Sequence, residues 1–549
     1  MLRYLLLSLI SALLLSVSWP TYGIPFFILV ALVPLLMMEH SITKFTNIKR
    51  KGWTVWAFSL LAFLIWNIVT TGWLYGARNP DGSHALPAVI LPVIANSLLY
   101  SLVFILYHRY KKTQGTYWGL VFFVAIWMAF EKLHLSWELS WPWLNLGNAF
   151  SEYPKLIQWY DTLGATGGSF WILLVNVFAF YTLRTWEAGR KKKDLLKNAA
   201  ILLAGIILPM GISIAKYHAF DEKPIGSVNV LLLQPELDPY DEKYQKDSLT
   251  IQNELLALAG QHTGAHVDYF IGPETSLPGR GSFSETGFES SPILNNVKQF
   301  LASHPNSIFA TGVSSHRFFY TESLAPVNAY QSQPDVWIES YNSAVQIIPG
   351  QKVEVYHKAK LVPAVEIFPY IAFFKPLLGN AMLNFGGTVA SLGIDRDRKV
   401  FSNPFNKGQL APVICYESIY GEFTNGYVKN GANFLAIMTN DSWWGATEGH
   451  RQLLSYARLR AIENRREIAR SANSGISARI DARGDIAEDE ATLYGDRTTL
   501  YTKINLYEGR TFYNRAGDLL SRVSIFVLGF LVFYTLINRV RSRMPSNRH

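Results

Sequence analysis

One cysteine, Cys415, stands in 549 residues. That excludes an intramolecular disulfide and any cysteine-based zinc site, so the chain needs no oxidative stapling. Charge is sparse too: Asp, Glu, Lys and Arg make up 17% of the residues, against about 25% in soluble proteins. The formal surplus is +9, but the basic residues sit beside apolar segments. No basic stripe runs along the remainder, which excludes a grip on nucleic-acid phosphates. There is no internal repeat and no low-complexity tract. The apolar segments show no His/Asp/Glu set at metal-ligand spacing, and none of the paired charges that mark an ion path. What abounds is apolar: 49% hydrophobic residues, 14% aromatic, and a mean hydropathy of +0.12. This is the composition of a membrane protein.

Apolar segments recur at about 4–18, 22–38, 54–74, 87–108, 118–134, 166–183, 197–215 and 521–538. Several approach the roughly 20 residues that cross a bilayer core, which predicts about eight spans. The first also reads as a signal peptide, with Arg3 before a leucine-rich run and Ser16-Val17-Ser18 as a small-x-small site. Basic residues fall in alternate connections: Lys44, Lys49, Arg50 and Lys51; Arg109, Lys111 and Lys112; Arg190 to Lys193; and Arg539, Arg541, Arg543 and Arg548. The positive-inside rule makes these four places cytoplasmic, and puts 75–86, 136–165 and everything from about 220 to 515 outside. The expected organisation is a membrane domain over 1–219, an outer domain over 220–515, and a closing span with a basic tail over 516–549. The outer loop Trp137 to Gly147, with Trp141 and Trp143, reads as an interfacial aromatic belt, with substrate contact as the alternative; His134 reads as an interfacial histidine.

From Gly226 the texture changes to apolar strands alternating with amphipathic helices. Strands are expected at Val228–Gln234, Val267–Gly272, Ser307–Gly312, Ser343–Ile348, Leu410–Ile414, Phe434–Met438, Ile476–Ile480 and Thr498–Ile504, with helices around 241–259, 292–303 and 448–466. The mixture predicts a layered α/β domain. Cys415 follows the apolar run Leu410 to Ile414, and Glu417 onward is expected to start a helix. That places the sulfur on a strand-to-helix turn, near backbone N–H groups that favour a thiolate and an oxyanion. A lone cysteine is by default a small buried hydrophobe, so its neighbours decide. Two other strands end in charged groups: Glu274 after Gly272-Pro273, and Lys358 after Tyr356-His357, with Lys360 close by. A thiol nucleophile needs a base and a group to hold the oxyanion, and a Glu, a Lys and a Cys supply all three.

Assembled in this order, the motifs resemble those of the apolipoprotein N-acyltransferases, membrane-embedded members of the nitrilase (carbon–nitrogen hydrolase) superfamily. Gly272-Pro-Glu274-Thr-Ser-Leu-Pro278 resembles the family's glutamate segment, Tyr356-His-Lys358-Ala-Lys360-Leu-Val-Pro-Ala-Val-Glu366 its lysine segment, and Cys415-Tyr-Glu417 its nucleophile segment. Thr439-Asn-Asp-Ser-Trp-Trp-Gly445, Ala457 to Glu463 and Arg470-Ser-Ala-Asn473-Ser-Gly475 are similar as well. The resemblance implies a polytopic α-helical membrane domain joined to an extracytoplasmic four-layer αββα sandwich. It implies Glu274 as general base, Lys358 as oxyanion stabiliser and Cys415 as nucleophile, with Glu366, Tyr416 and Glu417 supporting and Glu366 orienting the lysine. Two departures stand out. Glu242-Lys-Tyr244 lacks the tryptophan that many relatives carry there, and Tyr320 to Val336, with Pro326 and Pro334, reads as a loop peculiar to this branch of the family.

The implied chemistry is acyl transfer from a membrane phospholipid, through a thioester on Cys415, to the free α-amino group of the N-terminal diacylglyceryl-cysteine of an apolipoprotein. It implies ping-pong kinetics, no cofactor, no metal, a monomer, and a place in the bacterial cytoplasmic membrane with the tail inside. A membrane-tethered amidase or hydrolase sending water to the thioester is the alternative. The stretch Ile367 to Leu378, with Phe368, Tyr370, Phe373 and Phe374, is too short and Pro-broken to span. It reads as a mobile arm that dips into the interface to admit acyl chains, or as a buried loop.

Overall fold

The computed structural model describes residues 1–44, 48–79, 82–189, 191–240, 242, 245–373, 391–406 and 408–541. Arg190, Lys243, Tyr244, Phe374, Arg543 and Arg548, named above, lie outside the described residues. The chain forms two compact units, one of 1–72, 86–219 and 516–549, the other of 73–85 and 220–515.

The first unit is helical: α1 (Leu2–Val17), α2 (Val33–Lys44) after a 3-10 turn at Pro25–Leu29, α3 (Lys51–Thr71), α4 (Leu86–His134), α5 (Tyr160–Glu187), α6 (Lys192–His218) and the closing helix Leu519–Arg541. Six described segments are long and apolar enough to cross a membrane, counting α4 once and α2 together with its 3-10 turn. Yet α4 is a hairpin. Gly115 leaves the helical region at φ 84°, ψ 174°, and rings on its two sides pair in reverse order: Tyr110 with Phe122 at 4.1 Å, Tyr107 with Phe123 at 5.0 Å, Tyr100 with Phe130 at 4.9 Å. At the tip a Cβ on Gly119 would lie 2.6 Å from the Lys111 Cβ, so only glycine allows the approach. With the hairpin divided and the shorter α1 included, eight apolar helices stand among the described residues, at the eight apolar segments of the sequence.

Two expectations for this half are overturned. The spans do hold paired charges: Glu39 of α2 is buried with Lys111 of α4 on one oxygen and His108 Nδ1 at 2.8 Å on the other. Lys132 also meets Asp518 at 2.8 Å, and Lys216 meets Asp161. Lys111 is therefore an internal partner and not a solvated loop charge. Trp143, expected in an aromatic belt, is core. Its segment turns inward as two 3-10 turns, Pro142–Leu144 and Leu146–Phe150, and the Leu146 N–H donates to buried Glu131 at 2.9 Å.

The second unit is built on two sheets. The larger runs β12-β1-β2-β4-β6-β5, with β3 on β4 and β7 on β6; the smaller runs β11-β10-β9-β8. Their ranges are β1 Gly226–Gln234, β2 Tyr269–Ile271, β3 Phe283–Ser284, β4 Ile308–Phe319, β5 Tyr330–Gln333, β6 Val336–Ile347, β7 Glu354–His357, β8 Leu410–Ile414, β9 Phe434–Thr439, β10 Ile468–Ala472, β11 Ala478–Ile480 and β12 Thr498–Leu506. Alternation along β1 turns Leu231 and Leu233 to one side, where they join Ile251, Leu255 and Leu258 of α7 (Ser248–Gly260) and Leu294, Val297 and Leu301 of α8 (Pro292–Ala302). The other side meets the smaller sheet, with the Tyr269 and Phe434 rings 5.5 Å apart and Ser471 Oγ donating to the Leu233 carbonyl at 2.9 Å. Helices α9 (Gly421–Lys429) and α10 (Glu448–Asn464) cover the smaller sheet, giving the four layers αββα. Residues 73–85 group with this unit through Trp73, whose ring lies 4.8 Å from Trp444 and whose Nε1 donates to Gln452 at 3.2 Å.

Local differences from the sequence expectations have local causes. Helix α7 starts at Ser248 because the Asp247 carboxylate caps the Leu249 and Thr250 N–H groups, each at 3.0 Å. The segment 320–336 contains β5, whose Tyr330 pairs with Ile338 of β6, so it is part of the sheet and not only a loop. Strand β10 was not expected because Arg470 interrupts its apolar pattern; Arg470 is buried and paired with Asp441 at 2.8 Å.

Candidate active site

The site gathers where three strands end. Strand β8 is buried along its whole length and lies parallel to β9, with Ile414 opposite Met438. The chain then reverses at Cys415, whose φ of 46° lies in the left-handed region that costs an L residue roughly 1–2 kcal/mol. Strain of this kind persists only where the surroundings fix it. Here the Ser418 hydroxyl donates to the Cys415 carbonyl at 2.7 Å, and Arg460 of α10 donates to the Ile419 carbonyl at 2.7 Å. The expected helix at Glu417 is a five-residue 3-10 turn, Cys415–Ile419, and the α-helix begins only at Gly421. No α-helix N-terminus therefore stands at the sulfur.

Glu274 arrives from β2 through Gly272-Pro273. Gly312 of β4 lets it in: a Cβ there would lie 2.6 Å from the Glu274 Cα, while the Gly312 N–H donates to the Pro273 carbonyl at 3.0 Å. Lys358 follows β7, and its backbone N–H donates to the Asn342 carbonyl of β6 at 2.8 Å. Its Nζ donates to Glu274 Oε1 at 2.9 Å and to Glu366 Oε1 at 2.8 Å. Glu366 is held in turn by the Val362 N–H at 2.8 Å. Asn342 Nδ2 donates to the same two carboxylates, at 2.7 Å and 3.0 Å, and the Asn440 N–H donates to Glu274 Oε2 at 3.1 Å. The Thr439 side chain, at the end of β9, hydrogen-bonds the Cys415 thiol.

Burial dominates the electrostatics. It pushes the Cys415 thiol far up, Glu274 adds to the shift, and Lys358 and Thr439 offset it only in part. The resting sulfur is therefore a neutral thiol that must lose its proton in the reaction. Burial alone would depress the Lys358 ammonium, but Glu274, Glu366 and Cys415 reverse that and hold it well above the usual lysine value. Lys358 is a permanent cation.

Behind the site, buried Glu417 ties the nucleophile turn to the lysine loop. It accepts from the Ile414 N–H at 2.8 Å, the Ala359 N–H at 2.7 Å and the Tyr356 hydroxyl at 2.7 Å. Burial pushes its carboxyl up, against those bonds.

The matches to known proteins follow the two units. Residues 11–178 match the family model for the apolipoprotein N-acyltransferase N-terminal domain, and residues 244–512 match that for carbon-nitrogen hydrolase. The chain is 28% identical to the apolipoprotein N-acyltransferase of Chlorobaculum tepidum over 98% of its own length and 97% of that protein. It is 25% identical to that of Geobacter metallireducens over 94% and 92%, and 25% identical to apolipoprotein N-acyltransferase 1 of Treponema denticola over 98% and 97%. The chain is similar to the apolipoprotein N-acyltransferases over nearly its whole length. It is a multi-pass membrane protein with a nitrilase-like domain.

In this N-acyltransferase fold, Glu274, Lys358, Glu366 and Cys415 come together, and Glu417 stands directly behind them. Tyr416 is buried, with its ring 5.2 Å from Tyr420. Lys360 Nζ stands 4.9 Å from the Tyr420 ring centroid, whereas Lys358 bridges the two carboxylates. On the arm, Phe368 is half-buried, Tyr370 is exposed and Phe373 is 65% exposed; Phe374 lies outside the described residues. Asn342, Asn440 and Thr439 were given no role by the sequence. Asn342 shares its alternating register on β6 with Ser340 and Gln346, so no break in an apolar pattern marked it.

Proposed function

We propose that this chain is a phospholipid:apolipoprotein N-acyltransferase that completes lipoprotein maturation by a ping-pong mechanism on a Glu274-Lys358-Cys415 triad. The observation that carries the reading is a permanent ammonium set between two carboxylates beside a buried, strained cysteine.

In the first half, Glu274 takes the thiol proton as Cys415 Sγ attacks an ester carbonyl of the phospholipid. Lys358 and backbone N–H groups hold the negative oxygen of the tetrahedral intermediate. The C–O bond breaks, the lysophospholipid leaves with the proton from Glu274, and a thioester remains. In the second half, the α-amino group of a diacylglyceryl-cysteine attacks the thioester carbon and gives its proton to Glu274. The C–S bond breaks and the proton returns to sulfur. Glu366 keeps Lys358 in place through both halves, while Glu417 and Tyr416 fix the backbone that carries the nucleophile.

The four basic clusters support a placement in the bacterial cytoplasmic membrane with 220–515 on the periplasmic side and the C-terminal tail in the cytoplasm. Both substrates are lipids, which agrees with apolar helices on either side of this unit in the chain. One chain contains the whole triad, which supports a monomer as the working unit. Nothing favours the hydrolase reading.

The test supplies purified protein in detergent with a phospholipid of known acyl mass and a diacylated lipopeptide bearing a free amine. The lipopeptide should gain one acyl mass while lysophospholipid accumulates, and Cys415→Ser should abolish both. Free fatty acid with no acylated peptide would refute the transferase reading in favour of hydrolysis.

A further inference from the structure

Asn342 has a use that the triad leaves open. Its amide orientation is fixed: Glu274 Oε1 at 2.7 Å and Glu366 Oε1 at 3.0 Å are both acceptors, so the group facing them must be the Nδ2 donor. The Oδ1 atom is then turned away from both carboxylates, and it is buried with no hydrogen-bond partner among the described residues. A second unused polar atom belongs to another residue that holds Glu274. Asn440 donates its backbone N–H to Glu274 Oε2, yet its Nδ2 is buried with no acceptor among the described residues. Leaving a buried amide atom unpaired costs about 1–3 kcal/mol. Two such atoms on the two residues that grip the general base therefore point to an incoming polar group.

We infer that Asn342 Oδ1 is the subsite for the attacking primary amine, an inference that rests on the acyl-transfer reading above. A primary amine has two N–H bonds. One is directed at Glu274, which takes that proton as the C–N bond forms and the C–S bond breaks. The second is accepted by Asn342 Oδ1, which aims the nitrogen lone pair at the thioester carbon. The formal charge of Glu274, Glu366 and Lys358 together is −1, which also suits a group that arrives as an ammonium ion and gives its extra proton to solvent before the neutral amine attacks. Asn440 Nδ2 is left to donate to an oxygen of the same substrate. Water has no acyl-bearing anchor to hold it in this slot, so the subsite favours aminolysis over hydrolysis.

The experiment uses the full-length protein in detergent, acylated on Cys415 by phospholipid. It is chased with either a diacylated lipopeptide carrying a primary α-amine or the same lipopeptide N-methylated, which retains a single N–H. The primary-to-methylated rate ratio is compared with that of a simple thioester in solution, so the first readout needs no variant. Wild type should exceed the solution ratio by about tenfold, the worth of one buried hydrogen bond. Asn342→Ala should bring the ratio back to the solution value even though it also slows acylation by loosening Glu274. Asn342→Asp, which keeps an oxygen acceptor, should retain most of the preference. A wild-type ratio equal to the solution value overturns the inference, as does an Asn342→Ala protein that slows both amines by one common factor. Failure of wild type to form any acyl-thioester would instead overturn the acyl-transfer reading, and the inference with it.

Discussion

Lys358 Nζ donates to Glu274 Oε1 across 2.9 Å, with both side chains closed to water. An ion pair this deep is worth little against an apolar replacement of both partners, but removing one partner strands the other and costs about 3–5 kcal/mol. In Lys358→Met two carboxylates face each other without their cation. We expect a lower melting temperature together with a loss of transfer of about 10³-fold or more, the scale of a lost oxyanion donor. Lys360→Met should stay within tenfold of wild type in the same assay. Equal losses in the two variants would contradict the assignment of Lys358.

The raised Cys415 thiol has a pH signature. An ordinary thiol with a pKa of about 8.5 reaches its alkylation plateau by roughly pH 9.5. Because burial and Glu274 push Cys415 up, its thiolate fraction is small at neutral pH. Its reaction with a small alkylating reagent should keep rising about tenfold per pH unit through that range. Glu274→Gln removes the largest charge acting beside burial, so alkylation at pH 8 should become faster although transfer is lost. Slower alkylation in that variant would contradict the electrostatics.

Glu417 joins two loops that the chemistry needs in register. Glu417→Ala would leave the Ile414 and Ala359 N–H groups and the Tyr356 hydroxyl without their acceptor. At about 1–3 kcal/mol for each unsatisfied buried group, the unit should unfold well below the wild-type temperature in detergent. An unchanged melting curve would refute the brace.

Phe373 tests the lipid-admitting arm. Its ring is 65% exposed beside exposed Tyr370, and a phenylalanine contributes about 1.5–3 kcal/mol when buried against apolar groups. Phe373→Ser should therefore raise the phospholipid KM about tenfold and leave turnover of a small soluble thioester nearly unchanged. Equal effects on both substrates would make the segment a structural loop.

Much of this was legible in the chain because the physics is local. Leu410 to Ile414 is a continuous apolar run, and it is the strand that ends in Cys415. The glutamate and lysine segments likewise follow strands of their own. What stayed hidden depends on distance or on register. Glu39 and Lys111 are 72 residues apart and meet only through packing of two helices. Strand β5 is exposed and polar throughout, so no alternation announced it. Arg470 disguised β10 because its charge is neutralised by Asp441 from a neighbouring loop. In the 3-10 turn after Cys415 the Glu417 side chain folds back onto the Ile414 N–H, an interaction that spacing alone does not reveal.

The most direct test of the whole account is intact and peptide mass spectrometry of the protein after incubation with a phospholipid of known acyl mass, with Cys415→Ser alongside. A single hydroxylamine-labile acyl mass on the Cys415 peptide, absent from the variant and discharged by a diacylated lipopeptide with a free amine, is the predicted result. An acyl mass on another residue, or transfer that continues in Cys415→Ser, would contradict it.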